Sequence, residues 1–154
     1  MPSTIDTRLE ALGISLPDAP APAANYVPFV RTGNLVFISG QVSRDEGGFM
    51  TGRLGDGCSL DQGYTAARAC AVALIAQLKS ACDGDLDRVR RVVKLTGFVN
   101  ATADFTDHPK VVNGASDLFA EVFGAQGTHA RAAVGTVSLP MGVAVEVEGV
   151  FELA

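Results

Sequence analysis

Arg131-Ala-Ala-Val-Gly-Thr-Val-Ser-Leu139-Pro140-Met-Gly-Val-Ala-Val-Glu146-Val-Glu148-Gly-Val-Phe-Glu152-Leu-Ala154 decides the reading of this chain. An arginine opens one strand, a Leu-Pro-x-Gly turn follows, and a second strand alternates valine with glutamate. Alternation puts Val143, Val145, Val147, Gly149, Phe151 and Leu153 on one face, the core side. Glu146, Glu148 and Glu152 share the other, and for Glu152 a solvated face is explanation enough. Arg131 is flanked by Ala, Val and Gly, where a guanidinium is costly unless it meets an anion. A forked cation opposite acceptor carboxylates can clamp a small carboxylic acid and hold a water beside it.

If Pro140 and Met141 form a two-residue turn, the two strands pair as a hairpin with Arg131 opposite Val150. Glu146 and Glu148 then share the arginine's face; a three-residue turn reverses the parity. In the two-residue case Glu148 lies nearer the arginine. Glu146 lies about 13 Å along the ladder at ~3.3 Å per residue, which leaves room for a substrate and a water.

Working outward, residues 4–12 carry a short helical pattern stopped by Gly13. Residues 14–28 hold Pro17, Pro20, Pro22 and Pro28, which makes them an extended connector. Val27–Arg31 and Leu35–Gln41 read as strands joined at Thr32-Gly33-Asn34. A Gly-rich stretch to residue 58 is loop, with one brief strand near Phe49–Gly52. Ser59 and Gln62 form a capping box ahead of an apolar stripe through Ala67, Cys70, Ala71, Leu74, Ile75 and Leu78, and Gly84 ends that helix. Val92–Val99 is a strand, and a second helix runs from Asp107 and Pro109 to Gly124. With no strict βαβ alternation and no G-x-G-x-x-G, a dinucleotide-binding fold is excluded. The expectation is α+β, a mixed sheet with two helices packed on one face. Residues 1–23 are an N-terminal helix and Pro/Ala-rich connector, and residues 24–154 a single domain.

Hydrophobic residues make up 47% of the 154, enough for a sizeable core, while charged residues make up only 19%. So little charge leaves a small domain short of polar cover, which points to an oligomer that hides a further apolar face. Net charge is −5, and the 12 basic residues are scattered apart from Arg88, Arg90, Arg91 and Lys94, read as a solvated turn and strand start. Nucleic acid is therefore not the expected partner. No signal-peptide pattern and no apolar run of about 18 residues is present, so no membrane partner and a cytoplasmic location are expected. Cys58, Cys70 and Cys82 include no C-x-x-C, and the last two read as small core residues. His108 and His129 have no partner at metal-ligand spacing, so no metal and no cofactor are expected. His129, two residues before Arg131, stands close enough in sequence to reach the pocket, but the expectation is that it does not.

Three anchors carry a resemblance to a known family: Tyr26 followed fifteen residues later by Gln41 within a Gly-Asn…Ser-Gly-Gln segment, Val112-Asn113 at the second helix, and the Arg…Leu-Pro…Glu-x-Glu ending. Over residues 24–153 the chain resembles the reactive intermediate deaminase (Rid, or YjgF; endoribonuclease L-PSP-like) family, in its longer branch. That resemblance implies a chorismate-mutase-like sandwich and a homotrimer with sites at subunit interfaces. It implies hydrolysis of reactive enamines and imines, such as 2-aminoacrylate, to 2-keto acids and ammonia without a cofactor. It also implies that Arg131 grips a small carboxylate or imino-acid substrate and that Glu146, rather than Glu148, handles the water. Tyr26 and Asn113 would line the pocket, with the Ser39–Gly40 backbone steadying the imine end and Glu148 nearby. Read from the residues alone, Tyr26 is equally a packed aromatic and Asn113 a first-turn helix residue. Two other functions stay open: a non-catalytic trimer that binds a small carboxylate or serves as an interaction scaffold, and a ribonuclease, against which the acidic charge and the lack of a histidine pair argue. The chain departs from the resemblance at Ala132-Ala133, where many members carry Ser or Cys, and in the loop between Gln41 and Ser59.

Overall fold

Reciprocal side-chain caps start both of the first two helices. In this computed structural model, which describes residues 3–22 and 24–154, Ser3 Oγ accepts from the Asp6 amide at 2.9 Å ahead of α1 (Thr4–Ala11). Ile5 and Leu9 of α1 are buried. β1 (Phe29–Thr32) and β2 (Leu35–Val42) form the expected hairpin through Gly33-Asn34, with Gly33 at φ +59°. The Gly-rich stretch holds more than the one brief strand expected. It folds into two small ribbons, β3 (Arg44–Asp45) with β4 (Gly48–Phe49) and β5 (Arg53–Leu54) with β6 (Gly57–Cys58).

α2 (Leu60–Ala81) starts at the Ser59–Gln62 capping box, with bonds of 3.1 and 2.9 Å. Its stripe of Ala67, Cys70, Ala71, Leu74, Ile75 and Leu78 is fully buried. β7 (Val89–Asn100) leads to α3 (His108–Phe123), which carries Pro109 in its first turn and stops at Gly124. α2 and α3 cross closely at Gly114, where a Cβ would run into the Tyr64 carbonyl. β8 (Ala130–Thr136) and β9 (Val145–Leu153) end the chain.

The main sheet has the order β1-β2-β9-β7-β8, antiparallel except for the parallel pair β7 and β8. The fold is the expected α+β sandwich, with α2 over β2 and β9 and α3 over β7 and β8. Cys70 and Cys82 are buried in its core as expected. Among the described residues, no helix is long and apolar enough to cross a membrane.

The C-terminal hairpin does not form. β9 pairs with β2 along one edge and with β7 along the other, so neither edge remains for β8. β8 instead joins β7 in parallel, and α3 supplies the crossover that a parallel pair needs. Residues 137–144 carry the chain past β7, braced by the Gly-rich loop. Arg53 Nη2 donates to the Val137 carbonyl at 2.6 Å, and the Ala144 amide donates to the Met50 carbonyl at 2.9 Å. The faces change with the pairing. Arg131 lies beside fully buried Leu95, on the helix side. Glu146 and Glu148 lie beside Phe98 and Thr96 on the open side.

Candidate functional site

The open sheet face and the N-terminal connector meet at the edge of β2 beyond the point where β1 ends. A cavity of about 180 Å³ lies there. Pro20, Ala21 and Pro22 of the connector form one wall, α2 contributes Ala73 and Gln77, and the Leu-Pro-x-Gly turn contributes Pro140 and Met141. Of the residues singled out from sequence, Tyr26, Gly40 and Glu146 line this cavity.

Glu146 reaches the cavity because Gly40 has no side chain. A Cβ on Gly40 would lie 2.5 Å from Glu146 Oε2. The β2–β9 ladder shifts register between Ile38 and Gln41, which places this glycine at the irregularity. Sequence reading gave Gly40 to backbone approach by a ligand, whereas in the fold its bare Cα makes room for the carboxylate. Burial first, and the neighbouring Glu148 carboxylate second, push Glu146 above the ordinary carboxylate range. Such a shift brings a carboxylate toward the proton affinity that a general base needs near neutral pH.

Ser39 lies next to this wall and acts on its shape. Its Oγ donates to the Val27 carbonyl at 2.8 Å, and its amide donates to the Pro28 carbonyl at 2.9 Å. Both bonds tie the segment behind Tyr26 to β2. Glu148 is exposed on the open face beside Glu146 and is not part of the cavity wall.

Arg131 and Asn113 sit at the opposite edge of the sheet. Arg131 Nη1 donates to Asn113 Oδ1 at 2.8 Å and to Ser116 Oγ at 3.2 Å, and Nη2 reaches the Pro109 carbonyl at 3.5 Å. All these partners are neutral, and no carboxylate pairs with Arg131 among the described residues. Within one chain β7 separates Arg131 from Glu146, and the two point to opposite faces. The shared face expected from a two-residue hairpin fails for the reason that removes the hairpin: the flanks of β9 belong to β2 and β7.

Several contributors were not singled out from sequence. Gln77 is buried, and its Nε2 donates to the Pro20 carbonyl at 2.7 Å, holding the connector against α2. Its signal was a polar residue three positions after Leu74, on the apolar stripe. Arg44 lines the cavity mouth with its guanidinium 5.4 Å from the Phe49 ring centroid. Nothing local marked it. Ser116 lies one helical turn after Asn113, a spacing that puts both on one face of α3.

The chain is similar to several known proteins over nearly its whole length. A curated protein of Trypanosoma cruzi, Protein TCP17, is 51% identical over 97% of this chain and 94% of its own length. A 2-iminobutanoate/2-iminopropanoate deaminase of Dermatophagoides farinae is 29% identical over 89% of this chain and 92% of its own. Among solved structures, a protein of unknown function from Agrobacterium tumefaciens matches with a TM-score of 0.91 at 45% identity, covering 97% of this chain and 92% of that one. One described as a putative endoribonuclease from Shewanella oneidensis matches with a TM-score of 0.93 at 36% identity, covering 98% and 100%. The family described as "YjgF/chorismate_mutase-like, putative endoribonuclease" matches residues 6–152, and the chain belongs to that family.

Proposed function

We propose that this protein hydrolyses reactive 2-imino acids, including the imine tautomer of 2-aminoacrylate, to 2-keto acids and ammonia. The observation that carries the reading is the half-buried Glu146 carboxylate over Gly40 in a cavity otherwise mostly apolar. The iminobutanoate deaminase of Dermatophagoides farinae is a relative with a matching activity by name. Arg131 grips the substrate carboxylate through its fork. Water adds to the imine carbon while Glu146 takes its proton. That proton passes to nitrogen to give a carbinolamine. The carbinolamine's hydroxyl proton then moves to nitrogen by way of Glu146, the C–N bond breaks, and ammonia leaves as the C–O bond becomes a carbonyl. The sum is imine plus water to keto acid plus ammonia, with no redox change and no cofactor consumed.

Because Arg131 and Glu146 of one chain lie on opposite faces, the site takes its arginine from one copy and its glutamate from the next. A closed head-to-tail ring of three copies meets that need. A small-carboxylate-binding trimer without catalysis is the second reading, favoured by the neutral setting of Arg131, which needs no glutamate. An ammonia-release assay with imino acids made in situ by an amino-acid oxidase separates the two. Release above the uncatalysed rate, lost in Glu146→Gln, supports hydrolysis. Keto-acid binding without release supports the second reading.

A further inference from the structure

Behind Arg131 stands a chain of hydrogen bonds with one direction. His129 Nδ1 lies 2.6 Å from the Gly127 carbonyl, which can only accept, so Nδ1 carries the proton. In the neutral ring Nε2 is then an acceptor. Ser116 Oγ lies 2.8 Å from it and donates its hydroxyl proton there. That leaves the Ser116 lone pairs toward Arg131 Nη1, which donates at 3.2 Å. The second Nη1 proton goes to Asn113 Oδ1 at 2.8 Å, so Nη1 is saturated. The edge formed by Nε and Nη2 remains for a carboxylate, with one long contact of 3.5 Å from Nη2 to the Pro109 carbonyl. The His129 ring is itself fixed, edge-on to the fully buried Phe119 ring at 6.4 Å between centroids.

We propose that Ser116 and His129 are positioning residues that orient the Arg131 guanidinium, leaving its Nε–Nη2 edge to receive the carboxylate of a 2-oxo or 2-imino acid. This rests on the reading of Arg131 as the carboxylate clamp and says how this chain sets the clamp. A long side chain that is already ordered loses less entropy when the ligand arrives, so affinity rises without a new contact to the ligand. His129 and Ser116 touch no substrate; they act only through Arg131.

The test uses the full chain and pyruvate as the probe, by calorimetric titration, together with steady-state ammonia release from 2-iminobutanoate. His129→Phe keeps a ring against Phe119 and removes the acceptor; Ser116→Ala removes the hydroxyl. Each is expected to raise the Kd for pyruvate and the KM by about 3- to 10-fold, the size of one hydrogen bond's net contribution, with kcat within about twofold. The double variant should be no weaker than the weaker single, because both break one chain. His129→Gln, which offers Oε1 to Ser116, should recover part of the loss. Variants that bind as the wild type does, or losses that simply add, overturn the positioning role while leaving the clamp intact. Losses that follow a fallen melting temperature and that His129→Gln does not relieve also overturn it. A wild-type chain without affinity for pyruvate overturns the clamp and this proposal together.

Discussion

Gly40 and Glu146 stand in close contact where β2 meets β9. The 2.5 Å separation between a Gly40 Cβ and Glu146 Oε2 means that Gly40→Ala must displace the carboxylate. Imine hydrolysis should fall by about 10²-fold, as for a misplacement of ~1 Å, with pyruvate affinity close to wild type. Glu146→Gln should cut the same reaction by ~10²–10⁴-fold, the usual size of a general-base contribution, and Glu148→Gln by less. A larger loss in Glu148→Gln would reverse the assignment of the water-handling role. Glu146 also links function to stability. Its affinity for protons is raised in the folded state, so its ionisation opposes folding. At pH well below the ordinary value of 4.5 the group is neutral in both states and contributes nothing. As pH rises through the folded value, stability is lost. Glu146→Gln should therefore raise the melting temperature at neutral pH, and the gain should vanish in melts below about pH 4. Arg131→Ala should weaken pyruvate binding by ~2–5 kcal/mol, and Arg131→Lys should restore only part of it, because a point charge cannot supply two parallel bonds. Equal affinities in the titration would remove the clamp.

Among the elements, the N-terminal connector depends most on a single long-range bond. Gln77 lies deep in α2, and Pro20 carries its carbonyl 57 positions earlier in the chain; their 2.7 Å bond sets the Pro20–Pro22 wall of the cavity. Gln77→Leu keeps the bulk and removes the donor. The cost should be about 1–3 kcal/mol for an unsatisfied carbonyl, seen as a lower melting temperature, with faster limited proteolysis between residues 17 and 28. Unchanged cleavage would mean that packing alone holds the connector. Element positions were largely legible in sequence where local chemistry decides them. The Ser59–Gln62 box, the Gly33-Asn34 turn and the stop at Gly124 each act within a few residues. The ribbons of the Gly-rich loop were not legible. Their pairing rests on positive φ at Gly48, Gly52, Gly55 and Gly57 and on bonds from residues 50 and 52 to the distant 142–144 segment.

For the whole molecule, the open sheet face is the outstanding feature. Phe37 and Val134 are 45% and 44% exposed there, next to Val150 and Phe98 in the ladder. Apolar side chains grouped on one sheet face offer a surface that another copy can cover, as the proposed trimer requires. Sedimentation equilibrium should give about three times 15.9 kDa, and Phe37→Glu should shift the mass toward one chain. If the site spans copies, mixing Arg131→Ala with Glu146→Gln and re-forming the oligomer should restore activity. The expected level is about a quarter of the wild-type rate, since a random pairing joins the two intact residues about one time in four. No recovery on mixing would place both residues in sites made by single chains.

The sequence by itself determined which residues of α2, α3 and β9 face the core. Side-chain alternation in β9 and the three-to-four spacing in α2 and α3 are local, and burial follows them. Through the family resemblance it also singled out Arg131, Glu146, Gly40 and Tyr26 as candidate site residues. Only the tertiary structure decided the neighbours of β9. An alternating strand offers the same pair of edges to any partner, and local pattern says nothing about which strand takes them. Once β2 and β7 occupied both edges, β8 had to cross to the far side of β7, and Arg131 turned to the helix face beside Ser116 and His129. That single choice of neighbours separates the arginine from the glutamate within one chain, and long-range edge competition made it.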